Sequence, residues 1–230
     1  MVFVGISGLF WTIVYILIIR RDFADKTYGM PLAALAINIA WEVRFSMLFY
    51  SPDMMLLPQV INTVWALFDV VIVFTVLKFG GRAFSDTYKA KPGKYSFCGM
   101  FILMLAFCFI FIFIGTEFLA TIPAFHDPNL GGATWEAAKF IAYSQNLLMS
   151  ALFIAMIWQR DNVQGQSFWI AFCKWFGTFI VMFNYLPAHS FDQFGVMWLI
   201  FAAIEICDVW YMVLVWRKCK QLDINPLKLV

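Results

Sequence analysis

Charge is scarce in this chain. Asp, Glu, Lys and Arg make up 13% of the 230 residues, hydrophobic residues make up 63%, and the mean hydropathy is +0.81. Soluble domains carry roughly 25% charged and roughly 45–50% apolar residues, so a soluble domain is excluded. Histidine is nearly missing: His126 and His189 fall in short connections and are too few for a metal cluster. The five cysteines, Cys98, Cys108, Cys173, Cys207 and Cys219, show neither CxxC nor Cys/His ligand spacing. They read as small core residues rather than disulfides or zinc ligands. No polar stretch is long enough for a soluble domain. The first apolar run has no basic segment before it and no A-x-A site after it, which predicts a retained helix rather than a signal peptide.

Apolar and aromatic residues fill the space that charge leaves, with 27 Phe and 10 Trp. A membrane-spanning helix takes about 20 mostly apolar residues. Seven segments qualify, near 3–20, 29–50, 57–78, 97–121, 136–158, 166–187 and 194–216. The expected fold is therefore all-α: a single seven-helix transmembrane domain covering 1–230. The longest connection, "KFGGRAFSDTYKAKPGKYS", reads as a Gly-rich basic loop. The cations are distributed with a bias. Arg20, Arg21 and Lys26 follow helix 1, and Lys78, Arg82, Lys89, Lys91 and Lys94 follow helix 3. Arg160 follows helix 5, and Arg217, Lys218, Lys220 and Lys228 form the tail. All 13 cations outside the spans thus sit on one side. By the positive-inside rule the C-terminus is cytoplasmic and the N-terminus outside or lumenal.

A few charges lie within the spans: Arg44, Lys139 and Lys174, with Glu42, Asp69, Glu205 and Asp208, and Glu117 near an end. Each costs about 2.5–3.5 kcal/mol at mid-helix on insertion scales, and such groups usually face the bundle interior. On helix 2, Asn38 and Glu42 share a face, with Trp41 beside them. Arg44 points almost oppositely, since two residues turn roughly 200° along a helix. Helix 7 aligns Trp198, Glu205 and Asp208; helix 3 aligns Asn62, Trp65 and Asp69; helix 5 aligns Lys139, Tyr143 and Asn146; helix 1 offers Ser7, Trp11 and Tyr15. Packed together, these stripes enclose a cavity with acids and rings in its wall. The same charges also admit a purely structural reading as interhelical ion pairs, for example Arg44 with Asp69 or Lys139 with Glu205. Arg44 and Asp69 suit that reading best. It does not account for the Asn38/Glu42 face, which carries no cation within one turn.

The segment "FADKTYGMPLAALAINIAWE" enters helix 2. Over residues 22–43 it resembles the PaxB-like integral-membrane terpene cyclases of meroterpenoid and indole-diterpene biosynthesis, which share an acidic residue, T-Y-G-M and an N-x-A-W-E helix. The resemblance implies a secondary-metabolism enzyme of the lyase or isomerase class. It would protonate the epoxide, or terminal alkene, of a lipophilic polyprenyl substrate with an aromatic or polyketide head group, and rings would then close in sequence. It implies Glu42 as one catalytic acid and an Asp of the last helix, matched to Asp208, as the second. Asn38, Trp41, Trp65, Tyr143, Asn146, Trp198 and Glu205 are the expected substrate contacts. No cofactor, metal or nucleic acid is expected. The expected partners are membrane lipid and an upstream prenyltransferase and epoxidase, in the endoplasmic reticulum or a bacterial inner membrane.

The chemistry of the residues agrees. Opening an epoxide near neutral pH takes an un-ionised carboxylic acid, and burial or a second acid nearby disfavours a carboxylate. Aromatic faces stabilise positive charge without attacking it. The chain has neither "DDxxD", the magnesium–diphosphate motif of soluble ionising cyclases, nor "DxDD", the acid motif of soluble protonating ones. Two rivals share the architecture. A retinal protein would need a lysine in helix 7, which has none in its span. A PQ-loop transporter would echo "LPQV" at 57–60, but would show two related three-helix halves, and no such repeat is visible.

Overall fold

The computed structural model describes residues 2–52, 54–88, 93–125, 132–183 and 195–229. His126, His189, Lys89 and Lys91 lie outside the described residues, as do 184–187 and 194 of the expected spans. The described chain is helical: α1 (Val2–Asp25), α2 (Leu32–Arg44), α3 (Leu56–Tyr88), α4 (Lys94–Ala120), α5 (Ala133–Gln159), α6 (Phe168–Met182) and α7 (Val196–Gln221), with short 3₁₀ turns at Met47–Phe49 and Pro123–Phe125. Of these, α1, α3, α4, α5 and α7 are long and apolar enough to cross a membrane. In the bundle, α1 packs on α6 and α3, α5 on α7, and α2 on α3, α4 and α5.

Two helices differ from the sequence expectation, each for a local reason. The apolar run predicts helix 2 over 29–50, but α2 has 13 residues, roughly 20 Å at 1.5 Å per residue. Pro31 sits at its N-cap, and its ring fixes φ and leaves no N–H to extend the helix backward. At the other end Asn62 Nδ2 donates to the carbonyl of Phe45 at 3.1 Å. Ser46 then caps the 3₁₀ turn by accepting from Leu48 N–H. Helix 3 departs in the opposite direction. It runs to Tyr88, through the "KFGGRAFSDTY" expected as loop. Gly80 suits this helix because Phe97 of α4 packs where a side chain would be: a Cβ added at Gly80 would lie 2.7 Å from the Phe97 ring.

The T-Y-G-M segment, Thr27–Met30, has a packing role. A Cβ added at Gly29 would lie 2.5 Å from the Gly165 carbonyl and 2.7 Å from Asp22 Oδ1, so no larger residue fits. Gly165 itself has φ +72°, which favours glycine. Around this contact the α1–α2 connection is fastened to the α5–α6 connection. Arg160 donates to the carbonyls of Tyr28 (2.9 Å) and Gln164 (2.8 Å) and lies over the Tyr28 ring. Gln166 Nε2 donates to the Gly29 carbonyl at 2.7 Å, and Tyr211 of α7 donates to Gln166 Oε1. Thr75 of α3 donates to Asp22 at 2.6 Å. The junction thus ties five elements at one end of the bundle.

Candidate active site

A cavity of about 220 Å³ runs between α1, α2, α3, α5 and α6. Val4, Pro58, Trp135 and Val181 mark one end, near the starts of α1, α3 and α5 and the end of α6. Tyr15, Asn38, Glu42, Trp65 and Met149 line its deeper part. Four tryptophans, Trp11, Trp41, Trp65 and Trp135, contribute to the wall. Two of them are held by their indole N–H groups. Trp41 donates to the Ala138 carbonyl at 3.1 Å, and Trp65 donates to Thr12 Oγ1 at 3.1 Å. Trp65 also stands 6.4 Å from Trp11 and 5.9 Å from Tyr15, ring to ring. With those N–H groups satisfied by the wall, the π systems remain to interact with whatever fills the space.

The acid at the deep end has an unusual set of neighbours. Asn38 and Glu42 are four apart on α2, which puts them on one face. Asn38 Nδ2 lies 2.8 Å from Glu42 Oε1, 2.9 Å from Asp69 Oδ2 of α3 and 2.7 Å from Tyr15 Oη of α1. Tyr15 in turn donates to Glu42 Oε1. One amide group with two hydrogens therefore serves three oxygens. Glu42 is 1% exposed and Asp69 0%, yet Glu42 Oε2 and Asp69 Oδ1 find no hydrogen-bond partner among the described residues. Among the described residues, no Lys or Arg pairs with either carboxyl.

The membrane cations are engaged elsewhere, and this corrects the expected pairings. Arg44 pairs with Glu117 of α4 at 2.6 Å rather than with Asp69. Lys139 pairs with Glu136, one turn away on α5, at 2.5 Å rather than with Glu205. Lys174 of α6 is buried against Asp208 of α7 at 2.6 Å and donates to Ser150 of α5 at 2.7 Å. Glu205 accepts from Trp175 Nε1 at 2.7 Å.

Of the expected site residues, Glu42, Asn38, Trp41, Trp65, Tyr143 and Asn146 line the cavity. Asp208, Glu205 and Trp198 are not among its lining residues, and Trp198 is half exposed. Asp208 stands behind the wall: its partner Lys174 lies 5.8 Å from the Trp11 ring. The reason is rotational. Spacing on α7 correctly aligns Glu205 with Asp208, but cannot say that α6 supplies a lysine on that side. Trp11, Tyr15 and Asp69 stand on stripes expected to wall a cavity, though none is expected as an acid or substrate contact. Trp11 and Tyr15 line it, Asp69 lies just behind, and Trp135 lines it without being expected. Tyr15 and Asp69 each stand on a stripe with a Trp, the one available signal.

Comparison with known proteins matches the chain to one family. The family model of Pyr4-like transmembrane terpene cyclases matches residues 1–221. The "Pyr4-family terpene cyclase mfmH" of Annulohypoxylon moriforme is 30% identical over 213 residues, covering 89% of this chain and 80% of the relative. "Terpene cyclase macJ" of Penicillium terrestre is 28% identical, covering 85% and 70%. "Terpene cyclase pyr4" of Aspergillus fumigatus is 23% identical, covering 94% and 85%. No solved structure matches. The chain is an integral membrane enzyme of the terpene cyclase class. It belongs to the Pyr4-like transmembrane terpene cyclases. The transporter alternative has no support among these relatives.

Proposed function

We propose that this enzyme cyclises a polyprenyl chain, terminally epoxidised and attached to an aromatic or polyketide head group, with Glu42 as the initiating acid. The observation that carries the reading is a buried carboxyl facing a tryptophan-lined cavity with no cation paired to it among the described residues. In the first step the Glu42 O–H bond breaks and its proton goes to the epoxide oxygen. The epoxide C–O bond opens, leaving a hydroxyl and a tertiary carbocation. The nearest alkene attacks that cation, forming a C–C bond and passing the charge along the chain. Loss of a proton from carbon ends the sequence and returns the proton count to its start, so the overall reaction is an isomerisation. A terminal alkene in place of the epoxide would take the same proton on carbon.

The surroundings of Glu42 support each step. Tyr15 and Asn38 hold Oε1 by donating to it, which leaves Oε2 as the atom free to carry the transferable proton. Trp11, Trp41 and Trp65 offer π faces to the travelling cation, each worth about 0.5–2 kcal/mol. An apolar wall keeps water from quenching it. The positive-inside asymmetry supports seven spans, a cytoplasmic C-terminus and a cavity mouth toward the opposite side. A prenyltransferase and an epoxidase acting beforehand are the pathway partners this substrate requires.

The test uses membranes containing the protein and resorcinols carrying terminally epoxidised farnesyl or geranylgeranyl chains. New cyclic isomers of unchanged mass are expected, and Glu42→Gln should abolish them while the protein stays folded. Recovery of only unreacted epoxide from the wild type, across both chain lengths, would overturn the reading.

A further inference from the structure

Asp69 is a buried acid that the proposed first step does not use. It sits on α3, 0% exposed, and is not among the cavity's lining residues. Its Oδ2 and Glu42 Oε1 converge on the same Asn38 nitrogen at 2.9 and 2.8 Å. Each carboxyl keeps one buried oxygen without a donor. A second anion beside Glu42 has no structural use that the nearby cations reveal, since Arg44, Lys139 and Lys174 are each bound to another acid. Two carboxylates this close repel, and a single proton between them removes the repulsion and supplies the missing donor.

We propose that Asp69 is the positioning residue of a carboxyl pair with Glu42, holding the proton on Glu42 until substrate arrives and sharing it again after turnover. This rests on the reading of Glu42 as the initiating acid and adds the group that keeps that acid loaded. Glu42 faces the cavity and gives up its O–H; Asp69 lies behind it and acts through it. Asn38 holds both carboxyls at a fixed separation, and Tyr15 donates to Glu42 Oε1, which leaves Oε2 to carry the proton. The titratable and charged groups facing the pair are Tyr15 from α1 and, across the cavity, Lys139 and Tyr143 from α5. Lys139 is bound to Glu136. Arg44 of α2 is turned to Glu117 of α4, and Lys174 of α6 to Asp208 of α7.

The experiment is the pH profile of cyclisation by Asp69→Asn in membranes, with the epoxyfarnesyl resorcinol as probe. The amide matches the carboxyl in shape and still accepts from Asn38, but carries no charge to hold a proton on its neighbour. The pH above which turnover falls should move down by at least one unit, with KM little changed. A lower rate with an unmoved alkaline limb means a structural role only and overturns the proposal. If Asp69→Asn does not accumulate, Asp69→Glu decides: it should keep the alkaline limb and lower kcat at constant KM, and an unchanged kcat overturns the proposal. Loss of cyclisation in Glu42→Gln with no pH shift in Asp69→Asn removes the pair and leaves the Glu42 reading standing. Full activity in Glu42→Gln removes both.

Discussion

Two buried acids, one turn or less from a tryptophan, have opposite surroundings. Asp208 has a lysine at 2.6 Å, itself fully buried and bonded to Ser150. Glu42 has an asparagine, a tyrosine and a second acid. The first site is electrically closed, because each charge has its counter-charge and little is left to exchange. The second is open for want of a cation. Asp208 also keeps an oxygen, Oδ2, without a donor, but has Lys174 beside it, whereas Glu42 and Asp69 combine such oxygens with no paired cation among the described residues. A buried charge in a membrane bundle therefore reveals its use through its neighbours rather than its depth. The paired acid ties α5, α6 and α7 together, and the unpaired one faces the cavity.

Substitutions can break this comparison in order of size. Glu42→Gln should lower cyclisation by about a hundred-fold or more, the usual scale for losing a positioned general acid, with little change in thermal stability. Product assays and melting of the detergent-purified protein check both halves. Asp208→Asn should do the converse and destabilise by about 3–5 kcal/mol, because it strands a buried ammonium. Adding Lys174→Met to that variant should recover much of the melting temperature. If Asp208→Asn melts like the wild type and yet forms no product, the acid on α7 belongs to the chemistry after all. Gly29→Ala should cost about 1–3 kcal/mol, the range for overpacking, since its Cβ would press on the Gly165 carbonyl. Its activity per folded molecule should hold. Arg44→Gln should matter least, about 1 kcal/mol or below, because its partner Glu117 is 71% exposed.

Much of this is legible in the sequence. The apolar runs give seven helices, and the Asn38/Glu42 face stands out because a helix turns Arg44 away from it. The string that carries the resemblance also splits into two physical parts. T-Y-G-M packs a junction through Gly29, and N-x-A-W-E supplies Asn38, Trp41 and Glu42 to the cavity. What cannot be read is anything set between helices. Asp69 looks like a partner for Arg44 because both are charged and both lie in spans, and only the packing of α2 on α3 turns Asp69 to Asn38. Lys174 gives no sign of its link to Asp208, 34 residues away. Helix extents escape the sequence where a side chain from another element bears on them, as Asn62 does at the end of α2 and Phe97 does at Gly80 within α3.

The central claim is that the cavity keeps an un-ionised carboxyl ready at neutral pH. Infrared difference spectroscopy on membranes, wild type minus the Glu42→Gln/Asp69→Asn double variant, addresses it directly. The account predicts a carbonyl stretch of a protonated carboxylic acid in the wild type that the double variant lacks. A difference spectrum holding carboxylate bands alone would contradict it.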